Sequence, residues 1–143
     1  MVKKLCLVSC FALLSLSPGV SAQLIGSQRQ VSQKEAGDLV KTWLASQGYD
    51  TKSQRFILEP DPDHPGFPDF YFFSPAYEQS QSVPTLGHFA VNRNTGEVWD
   101  WELCQRMQSV ALGAAQKSLR KKLGLSDQQY GKLSKLAPCS GPT

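Results

Sequence analysis

The chain has 143 residues, with 15 Lys and Arg against 12 Asp and Glu, for a formal net charge of +3. That length fits one domain able to bury a core without metals or many disulfides. Once Lys3 and Lys4 leave with a leader, 13 basic face 12 acidic residues, so no net basicity points to nucleic acid, and no motif calls for a cofactor or metal.

The chain opens MVKKLCLVSCFALLSLSPGVSA, with Lys3 and Lys4 before an apolar run from Leu5 to Leu16, then Pro18-Gly19 and Val20-Ser21-Ala22. This is the pattern of a secretory signal peptide over 1–22. The run is shorter than the ~20 residues a transmembrane helix needs, and no later run is longer, so no span is expected after leader removal. Leu7-Val8-Ser9-Cys10 has the residue types of a lipobox, but the apolar run continues for six residues past Cys10. A lipid-modified cysteine would end it, so Cys6 and Cys10 are expected to leave with the leader.

The exported chain then starts at Gln23 and has 121 residues, 143 less 22, with a loose polar tail over 23–31 and one domain over 32–143. Only Cys104 and Cys139 remain, and an even count in an exported chain predicts a disulfide between them. A catalytic pairing of Cys104 with His88 would need a free thiol and is set aside for that reason.

Ser32-Gln33-Lys34-Glu35 has the form of a capping box. Ala36, Leu39, Val40, Trp43 and Leu44 follow at helical spacing, and Gly48 ends the helix. From residue 54 the pattern changes to short strand-like runs: RFILE (55–59), DFYFFS (69–74), TLGHFAVN (85–92) and EVWDW (97–101). Arg93-Asn94-Thr95-Gly96 is the expected hairpin turn, with Gly96 at positive φ. Alternation places Phe89 with Val91 and Trp99 with Trp101, and the two pairs are expected to meet the first helix as the core. The run 69–74 is apolar on both faces, which predicts either a strand covered twice or one face, Tyr71 with Phe73, left for a partner.

A second helix is expected from Cys104 through Met107, Ala111, Leu112, Ala115, Leu119 and Leu123 to Gly124. Ser126-Asp127-Gln128-Gln129 opens a third, with Tyr130, Leu133 and Leu136 facing inward and Pro138 as its stop. Charge divides along the chain. Residues 48–102 carry nine acidic and three basic side chains, and 103–143 carry seven basic and one acidic.

The loop from Glu59 to Asp69 holds Pro60, Pro62, Pro65 and Pro68 with Asp61, Asp63 and His64. Asp61, Asp63 and Gly66 match the first, third and sixth places of a calcium loop, but Pro65 and Phe72 occupy ligand positions, so a stiff exposed connection is expected instead. His64 is expected to be solvated, and His88 to be structural or at the surface. Lys117, Arg120, Lys121 and Lys122 form a basic patch that complements a helix C-terminus.

Phe89-Ala90-Val91-Asn92-Arg93-Asn94-Thr95-Gly96-Glu97-Val98-Trp99 resembles the closing hairpin of two groups of small domains. One is the PepSY-like domains; the other is the bacterial immunity proteins of nuclear-transport-factor-like fold. The resemblance implies an exported, non-catalytic domain that binds and often inhibits another protein, and it carries over no active-site residue.

The resulting expectation is an α+β domain: an amino-terminal helix on a four-stranded antiparallel meander, followed by a disulfide-tethered helical pair. The leading functional reading is a protein-binding module of the bacterial envelope, periplasmic or extracellular, acting as an inhibitor or immunity factor. Its expected contacts are Phe67, Tyr71, Phe73, Asp61 and Asp63, because apolar residues beside acidic ones suit an interface. The alternatives are an envelope hydrolase using Asp61, Asp63 or His64, and a structural protein that self-associates through the second strand.

Overall fold

A computed structural model describes residues 29–62, 64–78 and 84–139. The signal peptide expected over 1–22, most of the expected tail and Asp63 lie outside the described residues. Of the tail, Val31 is 1% exposed and donates its backbone N–H to Arg93 O at 2.8 Å. The packed domain therefore includes at least one residue before the helix cap.

The first helix, α1, spans Gln33–Ser46, and its capping box is formed as expected: the Ser32 hydroxyl accepts from Glu35 N–H and the Glu35 carboxylate accepts from Ser32 N–H. Gly48 at φ +92° turns the chain away. The strands are β1 (Phe56–Ile57), β2 (Phe70–Phe73), β3 (Ala76–Tyr77), β4 (Phe89–Asn92), β5 (Val98–Asp100) and β6 (Gln105–Arg106). Two helices follow, α2 (Val110–Leu123) and α3 (Asp127–Leu133). The class is α+β, with a four-stranded antiparallel sheet in the order β2-β4-β5-β6 and a two-stranded ribbon of β1 and β3.

Sheet membership differs from the sequence reading at both ends. Phe56 and Ile57 pair with Tyr77 and Ala76 in the ribbon, and the fourth place in the main sheet is taken by β6, inside the stretch read as helix. Cys104 adopts φ +53°, a left-handed turn that no helix interior accommodates. The helix starts later, where the Ser109 hydroxyl accepts from Leu112 N–H and caps α2. Cys104 and Met107 therefore belong to the β5–β6 hairpin and its exit. The Cys104–Cys139 disulfide is present, with Cα atoms 5.7 Å apart. It ties that hairpin to the chain just beyond α3.

The two faces of the sheet also sort differently. β4 and β5 pair with Ala90 opposite Trp99 and Val91 opposite Val98. Side chains directly opposite share a face, so Val98, not the tryptophans, joins Phe89 and Val91 beneath the helices. The main core holds Ala36, Leu39, Val40 and Leu44 of α1, Phe73, Phe89, Val91 and Val98 of the sheet, and Leu112, Leu119 and Leu123 of α2. Phe73 is 2% exposed, which removes it from any surface offered to a partner, while Tyr71 is half-buried under the Arg93 guanidinium at 4.2 Å. The opposite, outer face carries Phe70, Phe72 and Ala90 with Phe67, Trp99 and Trp101 packed on them.

The Asn94–Gly96 turn is buried beneath the helix pair. The Asn92 side chain accepts from the N–H groups of Asn94 and Thr95, and Gln116 Nε2 donates to Gly96 O. Gly96 sits at φ +73°, and a Cβ there would lie 2.9 Å from a Leu119 methyl and 3.1 Å from one of Leu39. Both conformation and space demand glycine at this position.

One ionic cluster joins α1, α2 and the amino-terminal arm. Glu35 accepts from Lys122 at 2.6 Å and from Arg29 at 3.0 Å. The Lys122 contact, then the Ser32 backbone and hydroxyl, lower its pKa to about 2. A depressed carboxylate contributes stability above its unfolded pKa and loses it as pH falls through the folded one. Glu35→Gln is thus expected to cost about 1 kcal/mol at neutral pH, the scale of a lost cap. The deficit should shrink as pH falls from about 4.5 to about 2, which urea melts across that range would read.

Candidate functional site

The functional candidates gather on the outer face, at the end of the sheet where the proline loop crosses it. Asp61 N–H donates to Phe72 O at 2.8 Å, and Pro60 bridges to Phe73, so the loop runs along the free edge of β2. Two local turns, Phe67 N–H to His64 O and Phe70 N–H to Phe67 O, fold the loop back over the face. His64 stacks 4.1 Å from the Phe72 ring and 5.5 Å from Trp101. His64 is half-buried against the sheet rather than solvated, whereas Pro62, Pro65, Gly66 and Pro68 are exposed, as expected of a stiff exposed connection. Among the described residues no group of three or more His, Cys, Asp or Glu is placed to hold a metal ion.

His88 is the residue whose surroundings the sequence hid. It precedes β4, and its Nδ1 lies 2.9 Å from Ser74 Oγ, which lies 2.7 Å from Asp61 Oδ2. Its Nε2 faces Glu102 Oε1 at 3.7 Å, and Trp101 meets its ring edge-on at 6.5 Å. Ser74 follows β2 directly, while Glu102 sits in the β5–β6 turn. Three elements and the loop thus converge on one imidazole. Nothing in the spacing of Asp61, Ser74, His88 and Glu102 marks this; only the pairing of β2 with β4 brings Ser74 to His88.

The hydrogen-bond bookkeeping decides what this cluster can do. A hydroxyl has one proton, and Ser74 directs it to Asp61, so His88 Nδ1–H donates to Ser74 Oγ. The 3.7 Å gap from His88 Nε2 to Glu102 is longer than a hydrogen bond. A nucleophilic serine needs its base to accept its proton; here the proton goes to Asp61 and the imidazole donates. The arrangement is a polar clip that fastens the proline loop to β2 and β4.

A second polar cluster holds α3 in place. Glu97 is 2% exposed, accepts from Tyr130 OH at 2.6 Å and pairs with Arg106 at 2.9 Å. Arg106 also lies over the Trp99 ring at 5.0 Å and donates to Ser134 O, and Arg120 lies over Tyr130 at 4.1 Å. Burial raises the Glu97 pKa, against the opposing pull of Tyr130 and the arginines. α3 has no fully buried residue and Leu136 is 43% exposed, so of the inward face expected for Tyr130, Leu133 and Leu136, Tyr130 and Leu133 are half-buried and Leu136 is not.

Beside the clip, the β5–β6 hairpin presents Leu103 at 71% exposure, with Asp100 accepting from its N–H. A groove of about 510 Å³ is lined by Trp43, Gln47, Asp100, Leu103, Arg106 and Met107 among others. Of the residues expected to form contacts, Phe67 and Asp61 lie on the outer-face corner, Tyr71 faces the helix side, and Phe73 is enclosed.

No family model and no curated protein matches the chain. A solved structure does: "Structure of a type VI secretion system effector-immunity complex from Pseudomonas protegens", in which one chain superposes with a TM-score of 0.60 and 22% identity. The match covers 74% of this chain and 88% of that chain. What the chain shares with that structure is its fold, and nothing found supports the PepSY-like resemblance.

Proposed function

We propose that the chain is an exported protein-binding module of the immunity type, one that binds and neutralises a protein effector at the bacterial envelope. The observation that carries this reading is the fold, held in common with a chain whose solved structure is a complex of two proteins. The disulfide suits an oxidising compartment, and among the described residues no helix is long and apolar enough to cross a membrane. Binding requires a rigid surface more than a reactive group, and the clip, the disulfide and the Glu97 cluster all serve rigidity.

The test is capture with the oxidised chain, immobilised, from envelope and secreted extracts of the encoding bacterium. A single stoichiometric partner that survives washing at physiological salt is the expected result; the absence of any stoichiometric partner would sink the reading. The hydrolase alternative rests on Asp61, Asp63 or His64. Turnover of peptide, ester or glycoside substrates by the folded chain, lost in Asp61→Asn or His64→Ala, would favour it, and no turnover above blank would remove it.

A further inference from the structure

We propose that the corner formed by Trp101, His88, Asp61 and Glu102 is the receptor for an arginine side chain of the protein partner. The inference deepens the binding-module reading and rests on it. Its basis is a pattern that the molecule repeats internally. Arg106 lies over Trp99 and pairs with Glu97, and Arg120 lies over Tyr130, which is itself bonded to Glu97. Each places a guanidinium on an aromatic ring beside an acid, the geometry in which cation–π attraction and ion pairing add.

Trp101 repeats the aromatic half of this pattern two residues after Trp99, on the same face. Its acidic companions are Glu102, whose side chain is 61% exposed, and Asp61 across His88. Among the described residues no lysine or arginine pairs with Glu102 or Asp61, and none is stacked on Trp101. The surroundings favour one from outside, because residues 48–102 carry nine acidic side chains against three basic. Such a field draws a basic partner surface and repels an acidic one. A planar guanidinium can lie on the Trp101 ring while donating sideways to a carboxylate, which a lysine ammonium does less well. Exposed Leu103 beside Glu102 supplies apolar contact for the stem of the incoming side chain.

The experiment titrates the folded, oxidised, ¹⁵N-labelled chain with N-acetylarginine methylamide, and in parallel with the uncharged citrulline analogue. The expected result is saturable shifts of the Trp101 indole N–H and of the backbone signals of His88 and Glu102, caused by the arginine compound alone. Glu102→Gln, at an exposed position with no structural partner closer than 3.7 Å, should leave the fold intact and abolish the saturation. No shift at this corner, equal shifts from both compounds, or an unchanged response in Glu102→Gln would each overturn the proposal. If the shifts are absent while a partner is still captured, the arginine receptor falls and the binding-module reading stands. If capture fails, that reading falls whatever the titration gives.

Discussion

Phe73→Ala is expected to cost about 3 to 5 kcal/mol, the range for emptying a large aromatic site in a packed core. Phe73 is 2% exposed, sits opposite Phe89 across β2 and β4, and touches the space above Gly37 that brings α1 close to the sheet. Since small domains are stable by only about 5 to 15 kcal/mol, the variant should be marginal at physiological temperature. The urea midpoint measures it, with Tyr71→Ala as the comparison. Tyr71 is half-buried beneath the Arg93 guanidinium, so its loss should be clearly smaller. Equal losses at the two positions would mean that Tyr71 is as deeply enclosed as Phe73, against the burial described here.

Replacing Cys104 and Cys139 with Ser is expected to destabilise by about 3 to 4 kcal/mol in the chain-entropy description of a loop of this length. The effect should also be local. α3 has seven residues and no buried side chain, far below the ~12–15 residues at which an isolated helix begins to hold in water. Without the disulfide it depends on the Tyr130–Glu97 hydrogen bond, the Arg106–Ser134 contact and the Arg120 stack. Hydrogen exchange should therefore show rapid loss of protection over 126–139 on reduction, while 89–100 stays protected. Uniform loss across both segments would show that the disulfide supports the whole sheet rather than the tail.

The legible parts of this fold are those with local causes. The Ser32 and Ser126 boxes, the Gly96 turn and the Leu112–Leu119–Leu123 stripe each follow from neighbours in sequence, and each is formed. The pairing of Cys104 with Cys139 was legible from cell compartment and parity alone. What could not be read depended on register. Alternation shows that Trp99 and Trp101 share a face, but which face meets the helices is set by Val98 pairing with Val91. A slip of one residue would reverse it. The strand at Gln105–Arg106 was masked because Cys104, Met107 and Ala111 fall at helical spacing by coincidence; the Ser109 cap was the available signal for the later start.

The candidate site was the least legible part. Asp61 and Phe67 were drawn from an unusual loop, and they do lie at the outer-face corner. Ser74 and Glu102 carried no signal, being ordinary residues that tertiary pairing brings to His88. Glu97 was read only as the start of the run 97–101, and the partner that holds it in its buried place, Tyr130, is thirty-three positions away.

The measurement that tests the immunity reading most directly is competition between the encoding bacterium and its own deletion strain, grown in contact. The account predicts that the deletion strain is killed by its parent, that the wild-type gene restores survival, and that the Cys104→Ser, Cys139→Ser variant restores it poorly. A deletion strain that grows undiminished beside its parent, under conditions where the parent kills other competitors, would contradict it.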